Sequence, residues 1–139
     1  MPNRPHFATA HGGLYPMLVA VFVAVLLISN VSAVKLIELG PFGKIGAIEL
    51  HAIVDGGAFL FPIVYVLGDV LSEVYGWAAA RRAIIAAFWL EIVAALTFWA
   101  VQLAPADPTW GNQAAFVSIL GFVPRIVFAS ICGFLVGQL

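Results

Sequence analysis

Four long apolar runs leave this chain no way to fold around an ordinary water-soluble core. The first, Leu14 to Val34, holds 21 residues without a charged side chain. At ~1.5 Å per residue, a helix of that length crosses a hydrocarbon layer of ~30 Å. Of the 139 residues, 63% are hydrophobic and only 9% are charged, which is too few charges to cover a soluble surface. The sequence therefore predicts an all-α membrane protein, a polytopic bundle of transmembrane helices.

The breaks between the apolar runs divide the chain into a tail and four helices. Residues 1–13 form a polar tail and residues 14–139 one transmembrane domain. We interpret the first run as a retained helix and not a cleaved signal peptide, because three more apolar segments follow it. The last run is still apolar at Leu139, so we expect this chain to be a piece of a longer protein. The helices are predicted over about 14–37, 52–75, 83–104 and 113–139.

The distribution of basic residues predicts the orientation. Arg81 and Arg82 lie in the short predicted turn between the second and third helices, and the 105–112 loop contains no Lys or Arg. Because basic residues concentrate in cytoplasmic loops, the N-terminus and this turn are expected in the cytoplasm. Arg4 agrees with that orientation, whereas Lys35 and Lys44 would lie outside.

Several classes of function are disfavoured by composition and motif spacing. The net charge is −1 and no basic run is longer than Arg81-Arg82, so nucleic-acid binding is not expected. Cys132 is the single cysteine, which excludes an internal disulfide and a cysteine-rich metal site. The residues 40–44 have the wrong spacing for a phosphate loop. We therefore expect no enzyme, no cofactor and no metal site.

The second predicted helix carries the densest polar set. Tyr65, Asp69 and Glu73 are spaced four apart, so they lie along one helical face. An ionisable side chain within a span is a candidate functional site because its insertion is costly. This face would suit a hydrogen-bond-donating or cationic solute, or a proton. The alternative is that both carboxylates reach water near the cytoplasmic end, with Arg81 or Arg82 as partners.

The same helix contains residues that disturb helical geometry. Pro62 is predicted at mid-span, where it removes a backbone donor, and Gly56 and Gly57 precede it. These residues favour an unwound segment that exposes backbone groups to a solute, as in transporters. A simple kink is the alternative. Asp55 is predicted at the helix start, where an N-cap is favoured over ligand contact.

The remaining helices each hold isolated polar groups. Asn30 is deep in the first helix and needs a partner, and Lys35 near its end either reaches the interface or pairs with Asp55. Glu91 and Arg125 lie near mid-membrane in the third and fourth helices. A structural ion pair between them and a role for either in binding substrate or protons both remain open.

A longer stretch of the second helix resembles a known family. The pattern resembles that of the queuosine precursor transporters, also called the vitamin uptake transporter family, with further matches in the first and fourth helices. The matching residues are Phe61-Pro62, Tyr65, Asp69, Glu73, Tyr75-Gly76 and Arg81-Arg82, together with Asn30, Lys35, Arg125, Ser130 and Gln138.

The resemblance implies a protein of about six helices that takes up 7-deazaguanine bases, precursors of the tRNA nucleoside queuosine, across the bacterial inner membrane. It would place Asp69 or Glu73 on the donor edge of the base and Asn30 or Arg125 on its carbonyl, while Tyr65 or Phe61 stacks on the ring. The whole substrate-binding set expected is Asp69, Glu73, Tyr65, Asn30, Arg125, Glu91, Lys35 and Phe61.

A second class of function is also compatible with the sequence. The chain could be a membrane-embedded substrate-binding or structural subunit that works with a separate ATPase, for another vitamin-like solute. The expected partners are a small-molecule substrate and the lipid bilayer. Assembly as a homo-oligomer and an energising partner protein both stay open.

Overall fold

The computed structural model of the chain describes residue 8, residues 13–45 and residues 48–137. Most of the predicted tail over 1–13, and the last two residues of the predicted fourth helix, therefore lie outside the described residues. The rest is mainly helical, with one two-stranded sheet. In chain order the elements are α1 (Leu14–Ser32), β1 (Leu36–Ile45), β2 (Ile48–Asp55), a 3₁₀ turn (Gly56–Phe59), α2 (Phe61–Tyr75), α3 (Trp77–Leu103), α4 (Gln113–Leu120) and α5 (Val123–Gly137).

Three helical segments within the described residues are long and apolar enough to cross a membrane. They are Leu14–Ser32, Trp77–Leu103 and Gln113–Gly133, the last of which combines α4 with most of α5. The first, third and fourth predicted helices correspond to these segments. The structure therefore supports a multi-pass membrane protein with three candidate spans, whereas the prediction was four.

The second predicted helix, over 52–75, is shorter in the structure. Residues 52–55 belong to β2 and the 3₁₀ turn follows them, so α2 begins only at Phe61. Pro62 occupies the first turn of α2 and not its middle. A backbone N–H at that position would have no intrahelical partner, so the absence of one in proline costs no hydrogen bond. The fixed φ of proline also suits a helix start. Pro62 thus begins a helix where the sequence predicted an unwound or kinked segment.

The connector between α1 and α2 is an antiparallel hairpin that the sequence analysis did not predict. Its strands pair from Leu36 opposite Asp55 to Ile45 opposite Ile48, with an irregular register around Pro41. Asp55 ends the second strand and accepts a hydrogen bond from the backbone N–H of Ala58 at 3.0 Å. The expected N-cap role of Asp55 is therefore present, but it caps the 3₁₀ turn.

The other boundaries shift for local reasons. Gly76 has a positive φ of 82° and separates α2 from α3 by a single residue, a conformation that favours glycine. Helix α3 consequently starts at Trp77, so Arg81 and Arg82 lie in its first turns and not in a loop. The predicted helix over 113–139 is interrupted at residues 121–122, between α4 and α5.

Side-chain contacts fix the relative directions of the helices. Near the helix starts, the Tyr15 hydroxyl donates to the Ala79 carbonyl oxygen at 2.9 Å. Further along both helices, Asn30 of α1 contacts Glu91 of α3. Helices α1 and α3 are therefore parallel. The Tyr15 ring also lies 5.1 Å, between centroids, from the ring of Tyr75 at the end of α2, so α2 runs antiparallel to both.

Candidate functional site

A cavity of about 600 Å³ lies among α1, α2, α3 and α5. Helix α2 contributes most of its polar wall through positions spaced three or four apart, which share one helical face. These α2 residues are Phe61, Val64, Tyr65, Gly68, Asp69 and Ser72. Helix α1 adds Phe22, Leu26 and Asn30, α3 begins with Trp77 and adds Ala80, Ile84 and Phe88, and α5 adds Ser130 and Gly133.

Asp69 provides the carboxylate of this wall. It is exposed to the cavity, and Tyr65, one turn earlier on the same face, has 71% of its surface exposed. Within the described part of the chain, no Lys or Arg nitrogen lies within 4.0 Å of Asp69. The alternative in which Arg81 or Arg82 neutralises it is therefore not what the structure contains. Its oxygens remain available as acceptors towards the cavity.

Asn30 is a second polar side chain in the cavity wall, and a hydrogen bond to a buried glutamate fixes its position. Its Nδ2 donates a hydrogen bond to Oε1 of Glu91, and the two residues are 4% and 0% exposed. Asn30 lines the cavity, whereas Glu91 lies behind it. The other oxygen of Glu91, Oε2, has no hydrogen-bond partner among the described residues. The predicted need of Asn30 for a partner is met by an interhelical hydrogen bond.

Close packing at the far end of α1 positions the start of α2. The Ser29 hydroxyl donates to the Gly57 carbonyl oxygen at 3.2 Å. A Cβ at Gly57 would lie 2.7 Å from the Ser29 carbonyl oxygen, and one at Gly56 would lie 2.5 Å from that of Ser32. The two glycines therefore let the 3₁₀ turn approach α1 closely. This contact sets where Phe61 and Tyr65 enter the cavity.

Glu73 and Lys35 belong to the predicted site but do not line the cavity. Glu73 lies one turn beyond Asp69, two residues before α2 ends, and is exposed. Lys35 is exposed between α1 and the hairpin, where its carbonyl oxygen accepts from the Gly56 N–H at 2.8 Å. No salt bridge joins the two described residues Lys35 and Asp55, and Asp55 instead caps the 3₁₀ turn.

Arg125 does not pair with Glu91, and the phase of α5 explains why. Val123 and Val127 are buried in a cluster with Ala95 of α3. Since successive helical residues are about 100° apart, Arg125 lies about 200° from each of them, on the opposite side of α5. Its guanidinium instead lies 5.8 Å from the centroid of the Phe122 ring. No salt bridge joins the two described side chains.

Some residues of the cavity wall were not predicted from the sequence. Ser72, Trp77 and Phe88 line the wall, but they are not ionisable groups in apolar helices, the signal on which most of the predicted set depends. The spacing of Ser72 could have identified it, since it continues the face of Tyr65 and Asp69. Within the described residues no group of three His, Cys, Asp or Glu side chains is placed to hold a metal ion.

Apolar spanning helices around a cavity with a carboxylate, an amide and aromatic rings define a multi-pass membrane protein with an internal polar site. Residues 55–139, more than half of the chain, match the family described as "Putative vitamin uptake transporter". The chain belongs to this family, whose name is that of a transporter. The resemblance noted from Phe61-Pro62 to Arg81-Arg82 is thereby confirmed.

A curated relative carries a more specific name. The chain is 28% identical over 110 residues to the "Probable queuosine precursor transporter" of Bacillus subtilis (strain 168), an alignment that covers 79% of this chain and 44% of the relative. The chain thus spans less than half the length of that relative. No solved structure matches the chain significantly.

Proposed function

We propose that this chain belongs to a carrier that takes up queuosine precursors, 7-deazaguanine bases, across the bacterial inner membrane and so supplies tRNA queuosine modification. Two lines support the proposal: the name of the Bacillus subtilis relative and membership of a transporter family. The single observation that carries it is the cavity that brings Asp69, Tyr65 and Asn30 around one space. Its volume of about 600 Å³ falls within the usual range for small-molecule sites.

The chemistry of the cavity matches that of a guanine-like base. Such a base presents a ring N–H and an amino group on one edge, and a single carboxylate can accept from both. Asp69 is the exposed carboxylate of the wall and takes this role. Tyr65 lies one turn and Phe61 two turns before it on the same face, where an aromatic ring can stack on the flat base.

Asn30 completes the recognition from the opposite helix. With one amide hydrogen committed to Glu91, the other hydrogen on Nδ2 can be donated to the carbonyl oxygen of the base. Glu91 then acts as a positioning residue, because its hydrogen bond restricts the rotation of the Asn30 side chain. Glu73, Lys35 and Arg125, which lie outside the cavity wall, have no assigned contact in this proposal.

Reconstituted uptake tests the function directly. The full-length protein is placed in liposomes preloaded with unlabelled 7-deazaguanine base, and entry of the radiolabelled base is followed. We expect exchange well above that of protein-free liposomes, and competition by guanine-like bases but not by thiamine or biotin. Absence of exchange in folded, reconstituted protein would refute the carrier.

The test in cells addresses the biological role and the alternative with an ATPase. In a strain unable to synthesise queuosine, supplied 7-deazaguanine base should restore modified tRNA only when the gene is intact. Equal restoration after its deletion would contradict the substrate assignment. If uptake in liposomes required a co-purifying ATPase and added ATP, the chain would be the subunit of a larger machine and not an autonomous carrier.

A further inference from the structure

We propose that a groove between α1 and α3 binds an anionic phospholipid, with the phosphate on Arg82 and an acyl chain along the groove. The groove has a volume of about 580 Å³ and shares no lining residue with the cavity described above. Its α1 residues include Val19, Val23 and Leu27, whereas Phe22 and Leu26 face the cavity. The two sites therefore lie on different faces of α1.

The groove is apolar along its length and has small side chains from both helices. Ala20 and Ala24 of α1 and Ala83 and Ala86 of α3 lie in its walls, so little side-chain bulk fills the space between the helices. Tyr15 is the only lining residue with a hydroxyl, and that hydroxyl already donates to the Ala79 carbonyl oxygen. Walls of this kind can bind a hydrocarbon chain without leaving a polar group unpaired.

Arg82 gives one end of the groove a fixed positive charge. It lies five residues into α3 from Trp77, about 7.5 Å along the helix axis. Its Nε donates to the Ala78 carbonyl oxygen at 3.2 Å, which holds the guanidinium beside the groove. No carboxylate lies within 4.0 Å of it among the described residues. Its two terminal nitrogens are thus available for a phosphate, which a guanidinium can bind through two hydrogen bonds.

An anionic phospholipid satisfies both parts of this site at once. From Arg82 to Leu90 the groove extends about 12 Å along α3, away from the helix start and into the hydrocarbon layer. An acyl chain that begins at a phosphate on Arg82 follows that direction. An apolar helix in the same place would leave the guanidinium unpaired. The positive charge of Arg82 favours an anionic over a zwitterionic headgroup, because the cation of a zwitterionic headgroup would be repelled.

Native mass spectrometry of the full-length protein tests the proposal, with phosphatidylglycerol and phosphatidylcholine of identical acyl chains as the probes. We expect wild-type protein to retain phosphatidylglycerol with about fivefold preference, the scale of one basic side chain near an anionic surface. Arg82→Gln should remove that preference. Arg81→Gln is the matched control: it removes the same charge from a neighbouring residue outside the groove wall, and most of the preference should remain.

A second variant examines the apolar part of the site. Ala86→Phe fills the groove while leaving Arg82 in place, and it should reduce the retained phosphatidylglycerol to the level of Arg82→Gln. The proposal is overturned if wild-type protein holds both lipids equally, if Arg81→Gln and Arg82→Gln lose binding alike, or if Ala86→Phe binds as wild type does. Base exchange in liposomes is a separate measurement, so failure here leaves the proposed transport function untouched.

Discussion

At the scale of single residues, the cavity separates two carboxylates that the sequence presented as equivalent. Asp69 lies in the cavity wall, and Glu73 lies one turn beyond it, near the end of α2. We predict that Asp69→Asn lowers uptake of the base about 10-fold or more, since a hydrogen bond to a charged group is worth about 1.5–3 kcal/mol. Initial uptake rates at equal membrane abundance measure this effect.

Glu73→Gln is the matched control for that experiment, because it makes the same chemical change one turn away. Its uptake should stay within about twofold of wild type. A larger loss in Glu73→Gln than in Asp69→Asn would mean that the base binds nearer the end of α2, outside the described cavity.

The buried pair of Asn30 and Glu91 leads to a second prediction at this scale. Glu91→Gln keeps an oxygen that can accept from Asn30, whereas Glu91→Ala removes the acceptor and leaves the Asn30 amide without its partner. An unsatisfied buried polar group costs about 1–3 kcal/mol. We therefore expect Glu91→Ala to melt at a clearly lower temperature than Glu91→Gln in the same detergent. The exposed Glu73→Ala serves as a control and should melt as wild type; equal melting of the two Glu91 variants would contradict the pairing.

At the scale of elements, the contact between the 3₁₀ turn and α1 is the feature that sets the start of α2. Gly57→Ala would push a methyl group against the Ser29 carbonyl oxygen and hydroxyl, at 2.7 and 2.9 Å. We predict a lower melting temperature and loss of uptake, because the turn must move away from α1. Gly68→Ala is the control for stability: nothing lies within 4 Å of its added Cβ, and alanine favours a helix interior. Its melting temperature should be unchanged or higher.

How well the sequence predicted each element depends on which property of the sequence determines its structure. The long apolar runs of α1, α3 and α4–α5 follow from hydropathy alone, which is why they were predicted. The hairpin was missed because the Gly- and Pro-containing stretch up to residue 51 was interpreted as an irregular connector and residues 52–55 as the beginning of an apolar helix, although Ile48-Glu49-Leu50-His51 alternates as strands do. Pro62 was ambiguous because proline both kinks helices and begins them.

Part of the candidate site could likewise be predicted, where the pattern within one helix is sufficient. Helical spacing alone placed Tyr65 and Asp69 on one face, and the structure brings both to the cavity. Whether Glu91 meets Arg125 or Asn30, however, depends on how α1 and α5 are rotated against α3. That rotation is set by packing, such as the burial of Val123 and Val127 with Ala95. No single-helix pattern contains this information.

At the scale of the whole molecule, the parallel arrangement of α1 and α3 fixes which ends share a membrane surface. The start of α1, the end of α2 and the start of α3 lie together, as the contact of Tyr15 with Ala79 and Tyr75 requires. The hairpin and the loop over 104–112 lie at the opposite surface. Arg81 and Arg82 lie at the surface that contains the start of α1, so the positive-inside rule predicts that this surface is cytoplasmic.

Cysteine labelling in intact cells checks this topology, and the chain is well suited to it because Cys132 is its single cysteine. In a Cys132→Ala background, Thr109→Cys lies in the 104–112 loop and should react with a membrane-impermeant maleimide added outside. Ala78→Cys, exposed at the start of α3, should react only after the membrane is permeabilised. The Cys132→Ala protein alone should stay unlabelled. The reverse pattern would place the N-terminus outside, and labelling of both positions from one side would contradict a membrane-spanning α3.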